Sequence, residues 1–125
     1  MLNMIKETGR IFSVTKVPYE KEYKELLKGF TDKEFTKLWN YVDSALPNDK
    51  FSVGTTFPLD SPHWGNGPLK VIYVKCRKDK AQAGYLLGQI VFDIILNRNE
   101  EWFCTKTNIT HRDFETLFYF RGNDQ

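Results

Sequence analysis

Four basic side chains stand close together in the middle of the chain, in the stretch KCRKDKAQ. They are Lys75, Arg77, Lys78 and Lys80, and Gln82 follows two residues after the last of them. Ammonium and guanidinium groups bind phosphate oxygens, and a glutamine side chain can pair with the adenine edge in the major groove of DNA. The stretch therefore predicts a phosphate-binding surface, for which a nucleic acid is the first partner to consider.

The segment after these cations has the periodicity of a helix that is buried on one side. Asp79 is a candidate N-cap, and Gln82 three residues later completes a variant of the capping box. The apolar stripe consists of Leu86, Leu87, Ile90, Val91, Ile94 and Ile95, and the polar face consists of Gln82, Tyr85, Gln89, Asp93 and Asn97. The pattern predicts a helix over 79–97 whose polar face begins beside the basic residues.

Charge gives the competing interpretation, in which the cations are solvated side chains at the start of a core helix. The chain has 18 basic and 16 acidic residues, so its net charge of +2 produces only a weak overall field. Asp93 also shares the polar face with Gln82 and Gln89. Any affinity for nucleic acid must therefore come from the local cluster of cations.

Two amphipathic helices are predicted upstream of this region. The segment 19–30 has apolar residues at helical spacing, namely Tyr19, Tyr23, Leu26, Leu27 and Phe30. The segment 31–46 opens with Thr31 and Glu34, which form the T-x-x-E pattern of a capping box, and it ends at Pro47. These patterns place two consecutive helices in the first half of the chain.

The remaining elements before the basic cluster are short. The stretch 9–17 is a short strand or an extended arm, and 50–53 is a short strand. The segment 68–76 fits two structures. Its β-branched residues Val71, Ile72 and Val74 favour a strand, whereas Leu69, Ile72, Tyr73 and Cys76 have helical spacing after Pro68. Both interpretations stay open.

The last part of the chain predicts a β-hairpin. Residues 101–107 and 115–121 are rich in strand-forming types, and the turn between them carries His111 and Arg112. A helix that begins at Thr110 is the alternative. The aromatic run near the end favours the hairpin.

The order of these elements, over about residues 31–121, resembles the winged helix-turn-helix superfamily. The stretch ALPNDKFSVGTTF is similar to the exit of the first helix and the first strand, GYLLGQIVFDII to a third helix with small-x-x-x-small packing, and LFYFR to a wing strand. The long loop at 54–67 departs from the compact form of that fold. The resemblance implies an α+β domain with residues 1–30 as an N-terminal arm and helix and 122–125 as a tail. If 68–76 is a strand, an α+β domain with a three-stranded sheet replaces it.

The resemblance also implies a function, which is non-enzymatic DNA binding by a regulator. In the superfamily the third helix enters the major groove of duplex DNA and the wing touches phosphates. The side chains expected to contact DNA are Lys75, Arg77, Lys78, Lys80, Gln82 and Gln89 around the third helix, and Lys106, His111 and Arg112 in the wing. A fold does not fix a function, so these residues define a hypothesis.

A protein-binding role is the alternative to DNA binding. The chain has 19 aromatic residues, from 3 Trp, 6 Tyr and 10 Phe, which is many for a small core. Trp64 lies in a loop rich in glycine and proline, and Tyr85 lies on the polar side of the predicted helix, so both are candidate anchors for a partner. The corresponding hypothesis is an adaptor or inhibitor, of the kind that phages and mobile elements encode, with a homodimer as one arrangement.

Catalysis is not predicted from the residues. The GNG stretch at 65–67 is too short for a phosphate-binding loop. His63 stands near Asp60, and His111 near Asp113, but neither pair has an identifiable nucleophile. We therefore expect a binding protein without a cofactor.

Cysteine and hydropathy patterns bound the remaining classes. Cys76 and Cys104 are expected to be buried free thiols, and together with His63 and His111 they lack the close pairs typical of structural zinc sites. The start of the chain lacks the apolar core of a signal peptide, and the apolar window at 83–96 is too short to cross a bilayer. These features favour a soluble cytoplasmic protein.

Overall fold

Pairs of helices and short strands follow one another along the chain in a mixed α+β arrangement. The computed structural model describes residues 1–53, 67–107 and 116–122. The described part contains strands β1 (Leu2–Ile5) and β2 (Ile11–Val14), helices α1 (Glu20–Leu27) and α2 (Asp32–Ala45), strand β3 (Lys50–Val53), helices α3 (Lys70–Lys75) and α4 (Lys80–Asn97), and strands β4 (Trp102–Thr107) and β5 (Thr116–Arg121). The predicted α+β class is confirmed.

The five strands form one sheet in the order β2-β1-β4-β5-β3. Strand β1 runs parallel to β4, and the other neighbouring pairs are antiparallel. Side chains alternate across the sheet, so that Trp102 and Cys104 of β4 and Tyr119 of β5 are fully buried. The sheet therefore has one face against the core.

The N-terminal hairpin, β1 and β2, was only half predicted. Strand β2 falls within the stretch 9–17, which was expected to be extended, but β1 was missing from the predicted elements. A short loop connects the two strands, with Gly9 at φ 84° donating its amide to the Lys6 carbonyl at 2.8 Å. This left-handed position after a tight turn suits glycine. Because Leu2 is buried beside Trp102, the hairpin belongs to the same core as the rest of the chain.

Helix α4 is the centre of the core, as its apolar stripe predicted. All six stripe residues, Leu86, Leu87, Ile90, Val91, Ile94 and Ile95, are buried, and Ala83 and Phe92 are buried with them. Both cysteines are free and buried, and burial raises the pKa of the Cys104 thiol to about 12. Within the described residues, no helix is long and apolar enough to cross a membrane.

The ambiguous segment 68–76 is helical over most of its length. Ile72 is fully buried, whereas Val74 is 49% exposed. In a strand these two side chains would share one face, and in a helix they lie on opposite faces. Helical spacing prevails because Leu69, Ile72 and Cys76 together bury one stripe in the core.

The predicted capping box begins α2. The Thr31 hydroxyl accepts a hydrogen bond from the Glu34 amide at 3.1 Å, and the Glu34 carboxylate accepts one from the Thr31 amide at 2.9 Å. Two amides that have no partner within the helix are thereby satisfied. The cap fixes the point where the chain enters α2.

Removing this cap gives the first testable prediction. We expect Thr31→Ala to lower the free energy of unfolding by about 1 kcal/mol, because it leaves a first-turn amide without its acceptor. Thr36→Ala is the control, since Thr36 is exposed in the middle of the same helix and alanine favours helix there. Denaturant unfolding followed by circular dichroism measures both variants. Equal stability of the two would contradict the role of the cap.

Candidate nucleic-acid interface

The turn between α3 and α4 carries two of the predicted cations in an unusual backbone conformation. The Lys78 amide donates to the Tyr73 carbonyl at 2.8 Å, and the Arg77 amide donates to the Val74 carbonyl at 3.1 Å. These two bonds form a Schellman motif, which ends a helix with a left-handed residue. Arg77 has φ 55° and Lys78 has φ 61°, so two successive residues are left-handed.

Left-handed backbone is unfavourable for residues other than glycine. A side chain at such a position costs roughly 1–2 kcal/mol, and glycine is the usual residue there. Arg77 and Lys78 instead present two long cationic side chains, both exposed to solvent. Strained backbone of this kind persists where the surrounding structure over-determines it, and it is concentrated at functional sites. The sequence carries no signal for this feature, since no glycine or asparagine marks the turn.

The start of α4 brings further polar side chains next to this turn. The Asp79 carboxylate accepts a hydrogen bond from the Gln82 amide at 3.1 Å, which confirms Asp79 as the N-cap. Lys80 and Gln82 are exposed in the first turn of the helix. Arg77, Lys78 and Lys80 therefore lie within four residues at the N-terminal end of an 18-residue helix.

Lys75, also predicted to contact DNA, has partners within the chain. Its ammonium lies 3.4 Å from the Glu34 carboxylate and 5.9 Å from the centre of the Phe30 ring, and its side chain is 31% exposed. The hydrogen bond from the Thr31 backbone, assisted by the charge of Lys75, lowers the pKa of Glu34. The structure places Lys75 between α3 and the start of α2, where it links two helices.

Gln89 and Asp93 face the N-terminal extension. The Gln89 side-chain amide donates to the Pro18 carbonyl at 2.9 Å. Asp93 accepts hydrogen bonds from the Tyr23 hydroxyl at 2.7 Å and from the Asn97 side-chain amide at 2.8 Å. Residues of α1 and of the segment just before it cover this part of α4. The Gln89 side chain, which was predicted to contact DNA, is bonded to backbone instead.

From the sequence, Asp93 was expected to share the polar face of the helix with Gln82 and to oppose the binding of phosphate there. Asp93 is 13 residues after Lys80 on α4, which corresponds to about 20 Å along a helix that rises about 1.5 Å per residue. Its carboxylate is held by two hydrogen-bond donors. The carboxylate of Asp93 is therefore remote from the cations at the start of the helix.

The bond between Tyr23 and Asp93 gives a second prediction. Tyr23 is buried, and burial, together with its bond to Asp93, raises the pKa of the Tyr23 hydroxyl far above its ordinary value. We expect Tyr23→Phe to lower the free energy of unfolding by about 1.5–3 kcal/mol, because a hydrogen bond to a charged acceptor is lost in a partly buried site.

Tyr41→Phe is the matched control for Tyr23→Phe. The Tyr41 side chain is 39% exposed on α2, so its hydroxyl should contribute little. Chemical denaturation of both variants measures the difference. If Tyr23→Phe is as stable as Tyr41→Phe, the bond to Asp93 does not fasten α1 to α4.

The other predicted site residues fall in different places. Lys106 is exposed on β4, opposite Leu117 of β5. Tyr85 is 63% exposed on α4, two turns before Asp93. His111, Arg112 and Trp64 lie outside the described residues. The structure therefore brings together Arg77, Lys78, Lys80 and Gln82 and assigns Lys75 and Gln89 to internal contacts.

Comparison with known proteins gives this site no precedent. No protein-family model, curated protein or solved structure matches the chain. Within residues 1–53, 67–107 and 116–122, no three His, Cys, Asp or Glu side chains are grouped so that they could hold a metal ion.

The exposed side of the first half of α4 carries small residues. Apart from its chain neighbours and the backbone of α4 itself, a Cβ built on Gly84 or on Gly88 would meet no described atom within 4 Å. The small-x-x-x-small pair was expected to pack closely within the fold, but in the described part of the chain these glycines face away from the core. Ala81 is exposed on the same side. A partner could therefore approach the α4 backbone closely here.

A second surface, on the sheet, was missed by the sequence analysis. Phe103, Phe118 and Phe120 lie on the face of β4 and β5 that is turned away from Trp102 and Tyr119, because side chains alternate along each strand. The Phe103 and Phe120 rings stack at 5.4 Å and the Phe118 and Phe120 rings at 5.7 Å. All three side chains are partly exposed, so this phenylalanine cluster is a separate apolar surface.

Proposed function

We propose that the protein binds duplex DNA without catalysis, and that the α3–α4 turn supplies its contacts to phosphates. The observation that carries this proposal is the pair Arg77 and Lys78, two exposed cations on left-handed backbone. Lys80 adds a third cation, and the exposed Gln82 would contact a base edge. Three cations beside the exposed start of α4 match the usual division between phosphate contacts and base contacts.

A winged-helix type of fold is part of the same proposal. Supporting it, α2, β3, α3, α4, β4 and β5 follow one another in the order that the resemblance requires, and a short turn joins α3 to α4. Strands β3, β5 and β4 are neighbours in the sheet. The hairpin of β1 and β2 enlarges the sheet to five strands, which is more than a winged helix needs.

A gel-shift titration with random duplex DNA tests the proposal. Lys78→Glu/Lys80→Glu is compared with Lys16→Glu/Lys21→Glu, which changes the net charge equally at exposed positions outside the α3–α4 turn. We expect the first variant to lose binding and the second to keep most of it. Titration at two salt concentrations should show steep weakening as salt rises, since phosphate contacts release counterions. Absence of binding by the wild type, or equal loss in both variants, would refute the proposal.

A protein partner is the second candidate, and the phenylalanine cluster favours it. Stacked aromatic side chains that are exposed on a surface are typical anchors of protein interfaces. The affinity for a partner bound through these rings should change little with salt concentration, whereas the affinity for phosphate should fall steeply as salt rises. Phe118→Ser would weaken capture of a protein partner and leave DNA binding unchanged.

A further inference from the structure

We infer that the free edge of β2 is a self-association surface, on which a second copy of this chain adds its own β2 in antiparallel orientation. In the sheet order, β2 is terminal and only β1 pairs with it among the described strands. A terminal strand presents a row of unpaired backbone N–H and C=O groups that can accept another strand. This inference does not depend on DNA binding.

Strand β2 itself lacks the features that normally protect an edge, although the Lys6 ammonium lies 5.2 Å from the centre of the Phe12 ring. Its residues are Ile11, Phe12, Ser13 and Val14, with no charge and no proline. Ile11 is 55% exposed and Phe12 is 38% exposed, so two of the large exposed apolar side chains are adjacent on this strand. Natural edges are usually blocked by lysine, proline or a bulge, and an edge without them is suited to pairing.

The hairpin loop determines which backbone groups point outward. The Lys6 amide donates to the Arg10 carbonyl at 2.8 Å, so this pair is bonded across the hairpin. In an antiparallel ladder bonded and non-bonded pairs alternate, so Ile5 and Ile11 form a non-bonded pair and Met4 and Phe12 a bonded one. The backbone groups of Ile11 and Ser13 therefore point away from β1.

Charge and symmetry select the second copy and its register. A two-fold axis pairs each edge with itself, so Ile11 faces Ser13 of the second copy, Ser13 faces Ser13, or Ile11 faces Ile11. The last arrangement would set Ser13 against Gly9, whose φ of 84° belongs to the hairpin turn, so the ladder does not continue there. The second arrangement would set Arg10 against Lys16 of the second copy, which places like charges opposite each other. The first sets Phe12 against Phe12 of the second copy and Arg10 against Val14. It joins two aromatic side chains and sets no like charges directly opposite each other along the two strands, so the edge is complementary to itself in this register.

Cysteine cross-linking tests the register directly. In a non-bonded antiparallel pair the Cα atoms are about 4.5 Å apart and the side chains are closer than in a bonded pair, which suits a disulfide. We expect Phe12→Cys to form a covalent dimer under mild oxidation. The yield of covalent dimer from Ile11→Cys should be on the order of tenfold lower, because the two introduced thiols would be offset by two residues along the strands. The native Cys76 and Cys104 are buried and serve as an internal background. Absence of the Phe12→Cys dimer, or equal yields from both variants, would overturn the inference.

Sedimentation equilibrium of the protein without introduced cysteines measures dimerisation independently. We expect the wild type to dimerise between ~10 and ~500 µM, since small interfaces bind weakly. Ser13→Pro should remain monomeric because it removes an outward N–H while leaving the ladder to β1 intact, and Ser13→Thr should behave like the wild type. If Ser13→Pro unfolds by circular dichroism, Ile11→Lys replaces it as the edge-blocking variant. A wild type that is monomeric throughout, or a folded blocking variant that still dimerises, would overturn the inference.

Discussion

The double variant Arg77→Gly/Lys78→Gly should lose DNA affinity while its fold becomes no less stable. Glycine relieves two left-handed positions, a gain that the greater freedom of the unfolded chain partly offsets. The free energy of unfolding should therefore stay the same or rise by up to about 2 kcal/mol. Loss of two phosphate contacts should weaken binding roughly 10–100-fold at about 0.1 M salt and reduce the slope of log K against log salt by about 2.

Two companion variants separate charge from backbone strain. Arg77→Ala/Lys78→Ala removes the same charges but keeps side chains on left-handed backbone, so it should bind as weakly as the glycine variant while being less stable. Arg77→Lys/Lys78→Arg keeps both charges and should bind nearly as well as the wild type. Fluorescence anisotropy with labelled duplex and thermal unfolding provide the two measurements. A glycine variant that binds as tightly as the wild type would show that the turn is not the phosphate contact.

At Arg77 and Lys78, glycine is expected to lower the affinity for DNA without lowering the stability of the fold. Where a natural residue is retained against the local backbone preference, exchanging it for the preferred residue commonly raises stability at the expense of activity. Under the proposed function the α3–α4 turn is such a place, because glycine would satisfy the Schellman motif and only a side chain can carry charge. A gain in stability with a loss of binding would therefore identify the turn as a functional element.

The second large effect is a difference in the free energy of unfolding between substitutions on the buried and on the exposed side of α3. Ile72→Ala should lower the free energy of unfolding by about 2–5 kcal/mol, because the side chain is fully buried and its removal leaves a cavity. Val74→Ala should change it by no more than about 0.5 kcal/mol, since Val74 is half exposed and alanine favours helix. Equilibrium denaturation with urea gives both values.

The same pair distinguishes the two structures that the sequence of this segment allows. A strand would place residues 72 and 74 on one face, and both variants would then lose similar stability. Similar losses would therefore contradict the helix. A second control is Val71→Ala, which should lie between the two because Val71 is partly buried beside the core.

Much of the architecture was predictable from local patterns. The capping box at Thr31, the N-cap at Asp79 and the apolar stripe of α4 each specify an element through residues that are near one another in sequence. Strand β1 was not predictable in this way. It is a four-residue segment whose stability comes from pairing with β4, about one hundred residues later in the chain, and no local periodicity records such a partner.

The candidate site divides along the same line. The sequence by itself determined that Lys75, Arg77, Lys78 and Lys80 are clustered before a helix, because they are neighbours in the chain. Only the tertiary structure decided which of them are available. Lys75 meets Glu34 of another helix, and Gln89 is bonded to Pro18, 71 residues before it.

The left-handed backbone of Arg77 and Lys78 is the clearest result of tertiary packing. Glycine normally signals such a turn, so the residue types give no indication of it. Cys76 at the end of α3 and Ala83 in α4 are both buried in one core, and only four residues lie between the two helices. The short connection must therefore reverse the chain sharply, and packing of the two helices imposes a backbone conformation that the local sequence alone would not favour.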